Sequence, residues 1–334
     1  MDIPTPSETP AGSPEATDRI PPTGDAEIRE TLSAAAAPGL ESRVLELGLA
    51  IAFVFLAILL WIGAGWALAP VLADQHPIIE SVFSLFLAVL PATYLLLKLT
   101  GERRWPALGL PLNAAGLQHA AAGMGLGAGL AACIVGVQWS AGWLIATSGA
   151  TIDDPGEWLW EPPLLLGVVV LAVGAAGEEL LFRGYGLQQL MRATTPWPAV
   201  IGTSALFGLL HFNNPDFSCI GMLNTMLFGT LFGVALVRHR SLWLPYGLHF
   251  GWNLTLALAG VNVSGLTIRL TDLSFAPAGP PLWSGAEYGP EGSLLTTFAV
   301  AGLGIGLWKI RLAADPSPKV WETNPIVSPG GGQS

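Results

Sequence analysis

The sequence predicts an all-α, multi-pass membrane protein of about eight transmembrane helices, with both termini in the cytoplasm. Three observations carry that expectation. The 334 residues are 51% hydrophobic and only 11% charged, with a mean hydropathy of +0.55, well beyond what a soluble globular domain uses. Eight apolar runs are long enough, or nearly so, to cross about 30 Å of hydrocarbon at about 1.5 Å per residue. Placed on eight alternating spans, twelve of the fourteen Lys and Arg fall on one side. The positive-inside rule assigns that side to the cytoplasm.

Residues 1–44 are acidic and rich in Pro, Ser, Thr and Glu, and so read as a disordered cytoplasmic tail with room for a short helix over 25–36. N-terminal transmembrane helices follow within 45–148, on the apolar runs 47–72, 78–97 and 120–145. None of these three carries a charge at membrane depth. A core over 163–260 comes next, on 163–190, 198–212, 217–237 and 242–260, the second of these being near the lower length limit for a span. An external loop over 261–292, a last transmembrane helix within 293–312 and a disordered cytoplasmic tail over 313–334 complete the chain. Arg43, Lys98, Arg103, Arg104, Arg192, Arg238, Arg240, Lys309, Arg311 and Lys319 flank these runs on one side, and Arg269 stands opposite.

Much of the net charge of -10 comes from the first tail and from Asp153, Asp154, Glu157 and Glu161. A solvated, self-repelling segment accounts for it without a partner, and nothing points to nucleic acid. Cys133 and Cys219 lie in spans and form no disulfide framework. Gly229-x-x-x-Gly233 and Gly302-x-x-x-Gly306 read as close helix contacts. Trp61, Trp66, Trp105, Trp160, Trp197 and Trp243 stand near span ends as interfacial anchors.

The core holds the chemistry. Glu178 and Glu179 lie inside an apolar run, where a carboxylate costs about 2.5–3.5 kcal/mol on insertion scales. Successive helical residues are about 100° apart, so the two cannot face one cavity equally. Glu179 precedes Arg183 by four, the favourable order for an ion pair, which assigns that pair to structure and Glu178 to chemistry. His211 follows Phe207 by four and His249 precedes Asn253 by four, so each pair shares a helix face. Counted from the cytoplasmic helix ends, Glu178, His211, His249 and Asn253 all fall roughly 10–20 Å deep, and so can meet in one polar cavity. A lone polar residue there is more often glue between helices. Two Glu, two His, an Arg and an Asn at matched depth are hard to read that way.

Such a cavity suits hydrolysis. A buried carboxylate can act as general base on a water that one imidazole helps to orient. A second imidazole and a carboxamide can donate to the oxyanion of a tetrahedral intermediate. Glu178, His211 and His249 are also a plausible zinc set, with water as the open ligand.

Glu178-Glu179-Leu180-Leu181-Phe182-Arg183, Phe207-Gly208-Leu209-Leu210-His211 and His249-Phe250-Gly251-Trp252-Asn253 resemble the EExxxR, FxxxH and HxxxN motifs of the CAAX protease and bacteriocin-processing (CPBP) intramembrane proteases. That family includes the type II CAAX prenyl endopeptidases and the abortive-infection proteins. The stretch Gly260-Val261-Asn262-Val263-Ser264-Gly265 is similar to bacterial members as well. The resemblance implies that Glu178 and His211 activate water, that His249 and Asn253 form the oxyanion hole, and that the site opens toward the cytoplasm. Members are often named metalloproteases, and a metal-free glutamate mechanism has been argued for some. Because Asn253 suits an oxyanion donor better than a zinc ligand, the expectation is an endopeptidase that requires no cofactor, with zinc as the alternative. Its expected partners are the lipid bilayer and a protein or peptide substrate, membrane-associated or prenylated chains included. A proton-coupled transporter and a non-enzymatic immunity or scaffold protein are the rival readings, the first weakened by the lack of two matching halves.

Overall fold

Helix ends in this chain are fixed by local chemistry. The computed structural model describes residues 39–101, 105–148 and 159–310, with Lys319 and Trp321. The two expected tails fall almost wholly outside these residues, as do the short helix over 25–36 and Asp153, Asp154 and Glu157. Helix α1 (Leu40–Leu72) is followed by α2 (Pro77–Leu99), where the His76 ring accepts from the Ile78 amide and Pro77 occupies the first turn. Helix α3 (Ala114–Ser140) starts at Asn113, whose side chain accepts from the Gly116 amide. Each cap satisfies a donor that the first helical turn leaves open.

Helix α4 (Leu164–Arg183) stops sooner than the expected span over 163–190. At Gly184 an added Cβ would collide with the Leu180 carbonyl, so glycine permits the break. The chain resumes as α5 (Tyr185–Ala193), which buries Gln188, Gln189 and Arg192. The Gln188 amide donates to the Leu108 and Arg183 carbonyls at 3.1 and 3.2 Å. Helix α6 (Pro196–Leu210) then ends at His211, α7 (Cys219–His239) starts from a Ser218 cap, and α8 (Trp243–Ala259) ends at Gly260 with φ 64°. After the four-residue α9 (Pro281–Ser284), α10 (Leu294–Lys309) starts from a Ser293 cap.

The structure is mostly helical, as expected, and five of its helical stretches are long and apolar enough to cross a membrane: α1, α2, α3, α4 with α5, and α7. The chain is a multi-pass membrane protein. Lipid-facing surface shows on α1, where Phe55 and Trp66 are 67% and 80% exposed. Helix α1 also starts before the expected span and carries a buried charge, since Glu46 pairs with Arg192 of α5 at 2.8 Å. Glu46 lies just before the expected run over 47–72, and α5 brings its matching cation.

Two short strand pairs, not expected from the sequence, tie the connections together. Strand β1 (Leu144–Ser148) runs antiparallel to β4 (Leu273–Pro277), and β2 (Leu159–Trp160) runs parallel to β3 (Thr267–Ile268). Trp160 is buried and stacked on His76, so it serves here as packing.

Helices α3 and α8 lie parallel in close contact. Gly116 meets Trp243, Gly123 meets Leu244 and Gly247, and Gly127 meets Leu248 and Trp252, while Gly247 and Gly251 meet the backbone of Ala120 and Met124. Backbones approach this closely only where no Cβ intervenes. Gly229 and Gly233 likewise seat Ser204 and Val200 of α6. Gly302 and Gly306 do not, because nothing lies within 4 Å of a Cβ at either, so the expected contact there is absent. Gly247→Ala is therefore expected to destabilise the protein by about 1–3 kcal/mol through overpacking. Gly302→Ala should be neutral or slightly stabilising, given the poor helix propensity of glycine. Thermal unfolding in detergent checks both, and equal melting points would refute the contact.

Candidate active site

A connection can turn several side chains toward one space only if the helix ends bring it there. Glu178, five residues before the end of α4, faces a cavity of about 360 Å³ with His211, His249 and Asn253 on its wall. All four expected chemical residues thus share one space, and Phe207 lines it too. Their depths differ from the expectation. The break at Gly184 brings Glu178 nearer the end of its helix, and His211 follows the last residue of α6 instead of standing within it.

The two glutamates divide as expected. The Glu178 side chain keeps 31% of its exposure, whereas Glu179 is 1% exposed and meets Arg183 at 3.1 Å. The same Glu179 oxygen accepts from Nδ1 of His249 at 3.0 Å. Nε2 of His249 stands 3.8 Å from Glu178. Glu179 is therefore shared between two helices, joining the α4 guanidinium to the α8 imidazole. The Arg183 guanidinium lies 4.5 Å from the Phe207 ring centroid and 5.1 Å from that of Phe232, a placement that stabilises a desolvated cation. Phe232 also stacks on His249 at 5.2 Å.

His211 is held at its other edge. Its Nδ1 lies 2.7 Å from the Phe207 carbonyl, which accepts a hydrogen bond from that nitrogen, so that in the neutral ring Nε2 is the lone-pair atom. The Phe207 ring packs edge-on against His211 at 4.8 Å.

Three further wall residues come from the connections. Asn214 donates to the Ser264 carbonyl at 3.0 Å. Glu291 accepts from Trp252 Nε1 at 2.8 Å and from Ser264 Oγ at 2.7 Å, and from the Ser264 amide as well. Ser264 has φ 50°, uncommon for a side-chain-bearing residue, and the Glu291 carboxylate holds it there. Burial, and next the Glu291 charge, push the nearby Tyr288 phenol up to about 12. Sequence patterning missed Asn214 and Glu291. Asn214 stands three residues past His211, a weak signal at most, and Glu291 offers none.

Among the described residues, no three His, Cys, Asp or Glu side chains are grouped so that they could hold a metal ion. Glu178, His211 and His249, the alternative zinc set, line one cavity without forming such a group. Nδ1 of each imidazole is engaged by an oxygen, the same contact that orients the ring in a metal-bound histidine, and Nε2 of His249 stands 3.8 Å from Glu178.

A second cavity, of about 440 Å³, has Glu179 as its one charged wall residue among the described residues. Trp105, Leu110, Leu112, Trp243 and Tyr246 supply much of the rest. It offers no polar chain that could relay protons onward from Glu179.

Residues 160–255 match the family model described as type II CAAX prenyl endopeptidase Rce1-like. The chain is also 24% identical over 149 residues to the uncharacterized protein YyaK of Bacillus subtilis (strain 168), a match covering 43% of this chain and 48% of that protein. The chain thus spans about half the length of the curated relative it matches. No solved structure matches.

Proposed function

We propose, from the Rce1-like match over 160–255 and the cavity it encloses, that this protein is an intramembrane endopeptidase that uses water as nucleophile. The match supports CAAX-type protease activity in general terms. The observation that carries the finer reading is the convergence of Glu178, His211, His249 and Asn253 on one cavity wall from two helices and the end of a third.

In this mechanism Glu178 takes a proton from water while Nε2 of His211 orients it, and the water oxygen attacks the scissile carbonyl carbon. The oxyanion forms beside Asn253, whose carboxamide donates to it. His249 can donate there only with Nε2 protonated, because Nδ1 serves Glu179. That requires the imidazolium form during the step. Glu178 then passes its proton to the leaving amine, and the intermediate collapses to a carboxylic acid and an amine. No step runs through a metal. The transporter reading gains nothing from the second cavity, whose walls are mainly apolar.

Membrane proteomes from cells holding the wild-type chain and the Glu178→Gln variant test the reading. A cleaved species is expected only with the wild type, and its cleavage by purified protein should survive complete demetallation. A transport assay with activity lost in the same variant, and no cleaved species, would sink the protease. Loss of cleavage on chelation, with recovery on zinc and about one equivalent bound, would restore the metal mechanism.

A further inference from the structure

We propose that the Glu178 cavity is entered from the non-cytoplasmic face, and that the polypeptide it cuts is an extended segment presented on that face. This rests on the protease reading above and reverses the cytoplasmic opening that the family resemblance implies. Two independent observations carry it.

The ends of the helix bundle differ. One end gathers the connections over 73–76, 211–218 and 260–293 with both strand pairs. These are joined by the His76–Trp160 stack, by Asn214 on Ser264, and by Gln138 of α3 donating to the Trp283 carbonyl at 2.7 Å. The other end gathers the 105–113 connection, α5 and the α7–α8 corner. It is joined by the Leu242 amide on the Gly109 carbonyl, by Gln188 on Leu108, and by Lys319 on Pro106 at 3.0 Å. Arg43, Lys98, Arg192, Arg238, Arg240, Lys309 and Lys319 belong to this second end. The first end has Arg269, paired with Glu161 at 3.3 Å, and otherwise Asp74, Glu80, Asp216, Asp272, Glu287 and Glu291. Such a bias places the basic end in the cytoplasm.

The cavity belongs to the opposite end. Beyond Glu178 and His249 its wall is continued by Ser81, His211, Asn214, Ser264, Ile268 and Glu291, and by no residue of the 105–113 connection, α5 or the α7–α8 corner. Toward the basic end the buried Glu179–Arg183 pair lies behind Glu178. From Val170, the α4 wall residue nearest that end, to Glu178 the helix rises about 12 Å at about 1.5 Å per residue. An extended chain covers that in about four residues at about 3.3–3.6 Å each, whereas a helix would need about twice as many. The cavity therefore selects an unfolded strand or terminus and excludes a folded surface.

Accessibility of single cysteines in intact cells tests the proposal apart from any cleavage assay. With Cys133 and Cys219 replaced by alanine, Gly174→Cys places a thiol on the cavity wall one turn from Glu178, where a Cβ meets only Val82 at ordinary contact distance. Leu112→Cys places one at the basic end, where Leu112 is 86% exposed. A small charged methanethiosulfonate that does not cross membranes is expected to label Gly174→Cys fully in intact cells, and Leu112→Cys only after permeabilisation. Labelling of Gly174→Cys that needs permeabilisation, or that fails on both sides, overturns the proposal. Should Gly174→Cys not fold, Ser81→Cys nearer the mouth is labelled in its place, with the same expected and overturning results. Adding Glu178→Gln leaves the labelling unchanged, so a wrong side of entry and a wrong chemistry are separately visible.

Discussion

Asn253→Ala is expected to reduce turnover by about 100-fold to 1000-fold, with little change in KM. A donor aimed at charge that exists only in the transition state adds nothing to ground-state binding, so its loss shows in kcat and not in KM. Asn253 lies one turn beyond His249 on α8 and on the same cavity wall. Glu178→Gln should go further and leave no measurable cleavage, because the amide keeps the shape and loses the base. Both variants should extract and melt like the wild type, since Glu178 is the exposed member of its pair and Asn253 carries no charge. Steady-state kinetics on the cleaved species from the proteome comparison decide the point. An Asn253→Ala variant whose KM rises while kcat holds would make Asn253 a substrate-binding residue and remove it from the oxyanion hole.

The parts of this site that were legible in the sequence are those where one helix sets the relation. Glu179 and Arg183, Phe207 and His211, and His249 and Asn253 are each four apart, so the helical turn alone brings them onto one face. Hydrophobic run length gave the helices for the same reason. What was not legible depends on contacts between distant segments. Glu291 reaches Trp252 and Ser264 across 39 and 27 residues, and no periodicity encodes that. The break at Gly184 was missed because apolar residues continue through Leu187, and a glycine inside an apolar run does not by itself end a helix. The α3–α8 seam was written in the chain as Gly123-x-x-x-Gly127 and Gly247-x-x-x-Gly251. It has the same spacing as the Gly302 and Gly306 pair that packs against nothing. Spacing shows which glycines share a face, and only the partner helix shows whether that face is used.

Arg183→Ala is expected to destabilise the protein by about 3–5 kcal/mol, the usual effect of removing one partner from a buried ion pair. Glu179 would keep its contact with His249 at 3.0 Å, yet its charge would stand beside the vacated aromatic surface of Phe207 and Phe232 with no full cation to balance it. Replacing both partners separates the structural role from the chemical one. In Glu179→Gln with Arg183→Met, neither side chain is charged and the volume is nearly kept, so much of the lost stability should return. Cleavage should not return. The amide that replaces the Glu179 carboxylate can present a donor as well as an acceptor to Nδ1 of His249, so the tautomer is no longer fixed and the ring is free to turn Nε2 away from the cavity. Thermal melting and turnover of the two variants, measured side by side, test this division. A double variant that recovers both would leave Glu179 and Arg183 as glue between helices, and His249 would need some other group to orient it.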